Sequence, residues 1–151
     1  MKIRPARLDD VNALLAIEEE SFDTDKLTRR KLRHLLTRGH CALLVGAQCG
    51  EVAGYALLLF RRGVPTARIY GLAVASSHRG RGLGRRLLVA AETEARRHRC
   101  RRLTLEVATS NRQAVRLYRK QGYSLLARLG PYYEDGARAS RYVKSLSAAR
   151  P

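Results

Sequence analysis

Cysteine is scarce in this 151-residue chain, and its placement excludes a disulfide framework. Cys41, Cys49 and Cys100 are odd in number and lack the close spacing of metal-binding cysteines, so we expect free thiols in a cytoplasmic protein. The four histidines are also scattered, and we assign no metal site. Because the N-terminal residues include no apolar segment of the signal-peptide type, we expect no secretion.

Long hydrophobic runs are missing too, with one exception. The stretch 41–60 is apolar enough to resemble a membrane span, but Gln48, Gly50 and Glu51 interrupt it. Each half has the length of a strand, so we predict a buried hairpin and no membrane association. No repeat, low-complexity tract or linker divides the sequence, and we expect a single domain over 1–151.

Acidic residues are few. The chain has 25 Arg and 5 Lys against 13 Asp and Glu, which gives a formal net charge of +17. Such an excess favours anionic partners, such as the phosphates of a cofactor, acidic peptides, or ribosomal and other RNA. A compositional bias that loads the surface with arginine would give the same balance. Charge alone therefore leaves these alternatives open.

Hydrophobic periodicity predicts an α/β protein, with a mixed sheet that carries helices on its faces. The expected helices are 10–20, 26–37, 83–98 and a short one capped by Asn111 and ended by Gly122. The expected strands are 3–6, 41–47, 51–60, 67–74, 102–107, 124–131 and 138–146, the last two joined by a turn at 134–136. Leu83, Leu87, Ala91 and Ala95 mark the buried side of the third helix, and Glu92 is placed on its outer face.

A glycine-rich loop is the most informative feature of the chain. Residues 78–84 read His-Arg-Gly-Arg-Gly-Leu-Gly and lie between a predicted strand and a predicted helix. Glycine lets the backbone approach a ligand closely, and the first N–H groups of a helix have no intrahelical partner. With Arg79, Arg81 and Arg85 beside it, the loop predicts a site for a phosphate or pyrophosphate.

Two other types of phosphate-binding loop differ from this one in their sequence requirements. A P-loop needs Lys followed by Ser or Thr after the glycines, whereas Gly84 is followed by Arg85 and Arg86. The dinucleotide fingerprint is a closer alternative, because Glu106 lies about where a ribose ligand is expected. However, its third glycine would fall at position 85, and the chain offers only one strand–helix–strand unit.

The loop reads as R-x-x-G-x-G in Arg79-Gly80-Arg81-Gly82-Leu83-Gly84, and Leu72-Ala73-Val74 precedes it. The same order continues with Leu105-Glu106-Val107, Ser110-Asn111, Leu117-Tyr118 and Gly122-Tyr123. This string resembles the GNAT (GCN5-related) N-acetyltransferases, and specifically the branch that contains the bacterial ribosomal-protein-alanine N-acetyltransferases. The resemblance implies the GNAT fold: a largely antiparallel sheet of six to seven strands with about four helices, in which two central parallel strands splay apart. It also implies acetyl-CoA as acetyl donor.

The resemblance assigns roles to particular residues. The residues implied to bind acetyl-CoA are Leu72, Ala73, Val74, Arg79, Gly80, Arg81, Gly82, Leu83, Gly84, Arg85 and Asn111. Glu106 is implied as the base that deprotonates the acceptor amine, and Tyr118 as the acid that protonates the departing thiolate. Simpler interpretations stay open, since Glu106 could only neutralise arginines, Tyr118 could only pack in the core and Asn111 could only cap its helix.

The acceptor is less well defined by the sequence. By family analogy its groove lies between the loop near 21–30 and the final hairpin, where Tyr132 and Tyr133 are candidate lining residues. The segment 21–26 departs from the Pro-Trp type of sequence expected of the ribosomal-protein branch. This departure concerns the specificity for alanine N-termini and not acetyl transfer itself. The expected acceptor is a protein or peptide amine, either an N-terminal α-amine or lysine, with ribosome association as a further possibility. The alternatives are a small-molecule amine such as a polyamine or aminoglycoside, and a non-catalytic acyl-CoA sensor or RNA-associated module.

Overall fold

The computed structural model describes residues 1–22 and 24–147, which form four α-helices and one seven-stranded sheet. The strands are Lys2–Pro5 (β1), Cys41–Gln48 (β2), Glu51–Leu59 (β3), Thr66–Val74 (β4), Arg102–Ala108 (β5), Ser124–Leu129 (β6) and Ala139–Ser145 (β7). The helices are Val11–Ser21 (α1), Arg29–Arg38 (α2), Leu83–Arg97 (α3) and Arg112–Lys120 (α4). The strand order is β1-β2-β3-β4-β5-β7-β6, so the predicted mixed α/β fold is confirmed.

Two central strands separate in the middle of the sheet. β4 and β5 are parallel, whereas the other strand pairs are antiparallel. Their pairing runs only from Thr66–Arg102 to Ile69–Leu105. Because β4 continues to Val74 and β5 to Ala108, the two strands are unpaired with each other over their second halves. This is the splayed pair that the family resemblance implies.

A β-bulge lies where this pairing ends. The register between β3 and β4 steps from Leu57–Gly71 to Leu58–Ile69, which leaves Tyr70 as the extra residue. A bulge changes which face of the sheet the following side chains occupy. Accordingly Ile69 packs in the cluster beneath α3, whereas Ala73 packs in the cluster beneath α1 and α2.

Helices cover both faces of the sheet. The cluster between the sheet, α3 and α4 contains the fully buried Leu87, Leu88, Leu103 and Leu105. The cluster between the sheet, α1 and α2 contains Leu14, Leu32, Tyr55 and Leu57, each at most 1% exposed. The predicted four-residue stripe of the third helix is confirmed, since all of its members are buried.

Helix α2 begins later than the periodicity predicts. The prediction started at Lys26, whereas the helix starts at Arg29, with Thr28 accepting a hydrogen bond from Lys31 N at 3.1 Å as its N-cap. Leu27 is buried but not helical, because its N–H donates to a carboxylate oxygen of Glu18 at 2.8 Å. The prediction therefore included Leu27 in the helix because of its spacing, although this residue precedes the first turn.

The last two strands are shorter than predicted and are not joined by a tight turn. They end their pairing at Leu129–Ala139, and residues 130–138 form a separate loop between them. Pro131 has no N–H to donate to a strand ladder, and Tyr132 N donates within the loop to Ala137 O at 3.0 Å. The loop is therefore long enough to reach over the neighbouring strands.

The prediction for Glu92 is wrong. This residue of α3 was placed on the outer face but is only 3% exposed. Its carboxylate accepts a hydrogen bond from the Tyr123 hydroxyl at 2.8 Å and lies 3.0 Å from Lys144 Nζ. Burial, followed by the adjacent Glu92, raises the pKa of Tyr123 above its ordinary value. The three side chains connect α3, the end of α4 and β7.

We expect Lys144→Met to lower the free energy of unfolding by about 3 kcal/mol, since it leaves the buried Glu92 carboxylate without its cation. Urea unfolding of the wild type and the variant measures this loss. The matched control is Lys120→Met on the exposed surface of α4, which should change stability by no more than about 0.5 kcal/mol. Equal stabilities for the two variants would contradict the role assigned to Lys144.

Candidate functional site

The glycine-rich loop has the backbone conformation that a ligand cradle requires. Gly80 and Gly82 have φ angles of 77° and 80°, in the left-handed region that favours glycine. A Cβ atom added at either position would meet nothing within 4 Å, so the space above the backbone is open. Gly84 differs, because a Cβ there would lie at ordinary van der Waals distance, 3.5 Å, from the Leu117 side chain of α4.

The first turn of α3 carries donors and positive charge. Gly82 is its N-cap, and the Arg86 N–H donates to Gly82 O at 3.1 Å. The N–H groups of the preceding residues 83–85 therefore point out of the helix end without an intrahelical acceptor. No acidic residue lies in this turn, and Arg81, Arg85 and Arg86 line an open groove of about 490 Å³ beside it. The loop fits a negatively charged group such as a pyrophosphate.

Arg79 does not join the other loop arginines. Its Nε donates to Val74 O at 3.0 Å and its Nη2 lies 3.4 Å from Ser21 Oγ. It thereby fastens the end of β4 to the loop and to α1. Of the three predicted loop arginines the structure brings Arg81 and Arg85 together, and it adds Arg86, which the sequence analysis did not assign.

The predicted segment Leu72, Ala73 and Val74 lies beyond the bulge of β4. On one side it pairs with β3, where Leu72 is opposite Ala56. On the other side β5 has already diverged, so the backbone edge of this segment faces the gap between the two strands. The gap therefore presents main-chain N–H and C=O groups to any ligand that enters it.

Glu106 faces the same gap from β5. It lies on the opposite side of the strand from Leu105 and Val107, and its side chain is only 5% exposed. Arg68 Nε lies 2.7 Å from one carboxylate oxygen, and Arg141 Nε lies 3.4 Å from the other. These contacts agree with the alternative in which Glu106 neutralises arginines, and its role as the base stays a prediction.

Tyr118 of α4 is buried in the cluster that lies between the sheet, α3 and α4. It is 6% exposed and packs edge-on against Tyr123, with ring centroids 5.9 Å apart. Burial, with a smaller contribution from Tyr133, raises the pKa of Tyr118 above its ordinary value, so its hydroxyl stays protonated at neutral pH. Within residues 1–22 and 24–147 we find no hydrogen-bond partner for that hydroxyl.

Asn111 caps α4, as the sequence predicts. Its side-chain oxygen accepts a hydrogen bond from Ala114 N at 3.2 Å. The other end of α4 is closed by Gly122, which has a φ of 91°, and by Tyr123 N donating to Tyr118 O at 3.0 Å. Capping explains Asn111 by itself, and a role in donor binding stays a prediction.

Two loops meet at the face of the sheet that carries Glu106. Glu134 N, in the 130–138 loop, lies 3.3 Å from a carboxylate oxygen of Asp25, which follows α1. The Tyr132 hydroxyl accepts from Arg68 Nη2 at 2.9 Å and lies 3.4 Å from Glu106. Tyr133 packs edge-on against Tyr132, and burial raises the pKa of Tyr133 to about 12. Both predicted groove tyrosines thus lie beside Glu106; Asp23 of the predicted groove loop is outside the described residues.

The sequence analysis missed three residues that shape this site, namely Arg68, Arg141 and Glu18. Arg68 and Arg141 bracket Glu106, and their only sequence signal is a charged residue alternating with apolar neighbours on a strand. Glu18 is buried beneath the site, where it accepts hydrogen bonds from the Tyr55 hydroxyl and from Leu27 N. Desolvation raises the pKa of Glu18 above its ordinary value. These contacts fix α1, β3 and the segment just before α2 relative to one another.

Comparison with known proteins defines the class. The model of the acetyltransferase (GNAT) family matches residues 8–123, and this chain belongs to that family. GNAT enzymes use acetyl-CoA as acetyl donor, and the chain is an acetyl-CoA-dependent N-acetyltransferase. Within the described residues, no helix has the length and apolar character needed to cross a membrane, and no three potential metal ligands come together.

Two relatives and one solved structure match most of the chain. A protein of Bacillus subtilis (strain 168), assigned provisionally as a ribosomal protein bS18-alanine N-acetyltransferase, is 33% identical over 88% of this chain and 87% of its own length. An N-alpha-acetyltransferase of Sulfurisphaera tokodaii is 30% identical over 89% of this chain and 87% of its own length. The crystal structure of a ribosomal-protein-alanine N-acetyltransferase from Brucella melitensis superposes with a TM-score of 0.84 at 26% identity, covering 97% of this chain and 100% of that one.

We expect Gly82→Ala to weaken acetyl-CoA binding by roughly tenfold, because a side chain at a φ of 80° is strained and intrudes on the open cradle. Calorimetric titration with acetyl-CoA measures the affinity. Gly63→Ala is the matched control, since Gly63 has a φ of 75° in an equally open turn away from the loop. Gly63→Ala should introduce the same backbone strain and bind acetyl-CoA with the affinity of the wild type. Equal affinities for both variants would exclude the loop as the donor site.

Proposed function

We propose that this N-acetyltransferase transfers an acetyl group from acetyl-CoA to the N-terminal α-amine of a peptide or protein. The observation that carries the proposal is Glu106, which lies between the splayed strands beneath two loops that contact each other through Asp25 and Glu134. We place the amine at the end of an extended acceptor chain beside this carboxylate. The bacterial and archaeal relatives named for protein or N-terminal acetylation support the same choice over lysine.

Glu106 acts as the general base in this proposal. An amine must lose a proton before its lone pair can attack a carbonyl carbon, and a carboxylate facing the gap can accept that proton directly or through water. Arg68 and Arg141 hold the carboxylate in place through their contacts with its two oxygens. The carboxylate of the general base is thus held by residues of three neighbouring strands, β4, β5 and β7.

The donor side is assigned to the other wall of the gap. Acetyl-CoA supplies an activated thioester when bound. The residues proposed to bind it are Leu72, Ala73, Val74, Arg79, Gly80, Arg81, Gly82, Leu83, Gly84, Arg85 and Asn111, with Arg79 contributing by bracing the end of β4. A backbone N–H of the 72–74 segment serves as oxyanion donor, because its direction is set before the reaction. Tyr118 donates a proton to the departing sulfur.

The charges around Glu106 disfavour the small-molecule alternative. Two guanidinium groups lie within 3.4 Å of the Glu106 carboxylate, so its immediate surroundings carry excess positive charge, whereas the acidic Asp25 and Glu134 lie on the loops above it. A polyamine or aminoglycoside has several ammonium groups and would be repelled there. The presence of both Glu106 and Tyr118 in the chain speaks against an inert acyl-CoA sensor.

We extend the proposal to the chain as a whole. Residues from β1 to β7 share one sheet and its two cores, which supports a single GNAT domain over 1–151. The thiols of Cys41, Cys49 and Cys100 are unbridged, which supports action in the cytoplasm. The net charge of +17 and the names of the relatives support substrates associated with the ribosome.

The test is acetyl-CoA turnover, followed as thiol release, with three acceptor pools. The pools are lysine-free peptides with free N-termini, lysine peptides with blocked N-termini, and small polyamines. We expect release with the first pool, and none after the same peptides have been N-terminally blocked. Release only with the second or third pool would contradict the proposal and name the correct acceptor class.

A further inference from the structure

Two arginines converge on one carboxylate at the acceptor side of the gap. Arg141 is directly opposite Glu106 in the β5–β7 register, and Arg68 reaches it from β4, where its strand partner is Thr104. One carboxylate balances only one of the two positive charges. Among the described residues, neither Asp25 nor Glu134 on the loops above forms an ion pair with Arg68 or Arg141, so one of the two guanidinium charges has no acidic partner.

The guanidinium groups have donors left over. A guanidinium carries five N–H donors. Arg68 uses Nη2 on the Tyr132 hydroxyl, and its Nε lies close to Glu106 but is cut off from solvent without a well-aligned hydrogen bond. Arg141 uses its Nε on Glu106. Among the described residues, neither Nη1 of Arg68 nor either Nη of Arg141 donates a hydrogen bond.

These donors face the groove. The side chains of Arg68 and Arg141 are 42% and 38% exposed, whereas that of Glu106 beneath them is 5% exposed. Arg68 is also held in position, because its guanidinium lies 5.6 Å from the ring centroid of Tyr70 and contacts Tyr132. An anion that enters the groove therefore meets a preorganised pair of guanidinium groups before it reaches Glu106.

The anion must be close to the reacting amine. In the proposed reaction that amine approaches Glu106, and both arginines contact the Glu106 carboxylate at 2.7 and 3.4 Å. Consecutive Cα atoms are 3.8 Å apart, so only the first or second residue of an acceptor chain can place a side chain at these guanidinium groups. Guanidinium groups bind carboxylates through charge-assisted hydrogen bonds, often in pairs.

We propose that Arg68 and Arg141 are specificity-determining residues that select acceptors with a carboxylate side chain in the first two positions. The inference rests on the proposed acetylation of N-terminal α-amines and names the class of N-terminus: acidic rather than neutral or basic. The arginines hold the side chain of the acceptor while Glu106 accepts the proton of its amine. A basic side chain in the same place is repelled.

The first test needs only the wild-type enzyme and three peptides that begin Ala-Glu, Ala-Gln and Ala-Lys and are otherwise identical. We expect kcat/KM for the Glu peptide to exceed that for the Gln peptide by about tenfold or more, with the Lys peptide lowest. The difference should shrink as salt is raised, because partly exposed charges are screened. Equal kcat/KM values for Glu and Gln, or a preference for Lys, would overturn the inference.

The second test assigns the preference to the arginines. In Arg141→Gln and Arg68→Gln the ratio of kcat/KM between Glu and Gln peptides should fall to within about twofold, whatever the absolute rates. Arg62→Gln, which removes the same charge from an exposed turn, should keep the wild-type ratio. A ratio that survives in both site variants would make the arginines positioning residues for Glu106 only. No acetylation of any free N-terminus would instead defeat the proposed function itself.

Discussion

Glu106→Gln is expected to lower kcat for peptide acetylation by about 10²- to 10⁴-fold near pH 7. Glutamine keeps the shape of the side chain and an oxygen that Arg68 or Arg141 can contact, but it cannot accept a proton from the amine. Because the guanidinium groups are partly exposed, the loss of their charged partner should cost little stability. Single-turnover rates with saturating acetyl-CoA measure the chemical step directly.

The size of this loss should depend on pH in a defined direction. A free α-amine has an ordinary pKa of about 7.7–8.0, so below that range most of the acceptor is protonated in solution and needs a base. Above it the acceptor arrives deprotonated. The ratio of wild-type to Glu106→Gln rates should therefore be largest at neutral pH and should shrink toward pH 9.

Glu134→Gln is the matched control for Glu106→Gln. Glu134 is an exposed acid in the 130–138 loop, and its replacement removes the same charge close to the same groove. It should leave the chemical step unchanged, and both variants should still be stabilised by acetyl-CoA. Full turnover of Glu106→Gln at all pH values would reduce the role of Glu106 to balancing the charge of its two arginines.

Tyr118→Phe is expected to lower kcat by about 10- to 100-fold with little change in KM or in melting temperature. The hydroxyl has no hydrogen-bond partner among the described residues, so its removal breaks no hydrogen bond within that part of the chain. The raised pKa of Tyr118 means that the proton is present throughout the neutral and mildly alkaline range. The wild-type rate should consequently show no loss of this donor below about pH 10.

Tyr70→Phe is the control for the loss of a tyrosine hydroxyl. Tyr70 is 43% exposed on β4 and keeps its ring beside Arg68 after the change. Its activity should equal that of the wild type. If Tyr118→Phe were equally active, Tyr118 would be a packing residue whose ring alone matters.

Features encoded by neighbouring residues could be predicted from the sequence. The glycine-rich loop, the buried stripe of α3 and the cap at Asn111 each depend on residues within one or two turns of each other, and each is found in the structure. The separation of β4 and β5 came from family resemblance, because no periodicity records where two strands stop pairing. The start of α2 was missed because Leu27 has the right spacing but a different backbone partner.

Contacts between distant residues could not be predicted. Glu92 looked exposed because the residues that bury its charge, Tyr123 and Lys144, are 31 and 52 positions away. Similarly, Arg141 contacts Glu106 only because the two residues are opposite each other in the β5–β7 register. The length of the 130–138 loop, which connects β6 to β7, could not be predicted from nearby residues either. The glycine-rich loop could thus be predicted from the sequence, whereas the surroundings of Glu106 required the assembled sheet.

The gap between β4 and β5 should also affect the solubility of the protein when no acetyl-CoA is bound. Over 72–74 the backbone of β4 has no neighbouring strand on one side, which makes an interior sheet edge. Unpaired strand edges are templates for aggregation, and natural proteins keep them covered. An extended donor arm with amide groups of its own would cover this edge as a further strand does. Preparations kept saturated with acetyl-CoA should therefore stay monodisperse at concentrations where the ligand-free chain begins to associate.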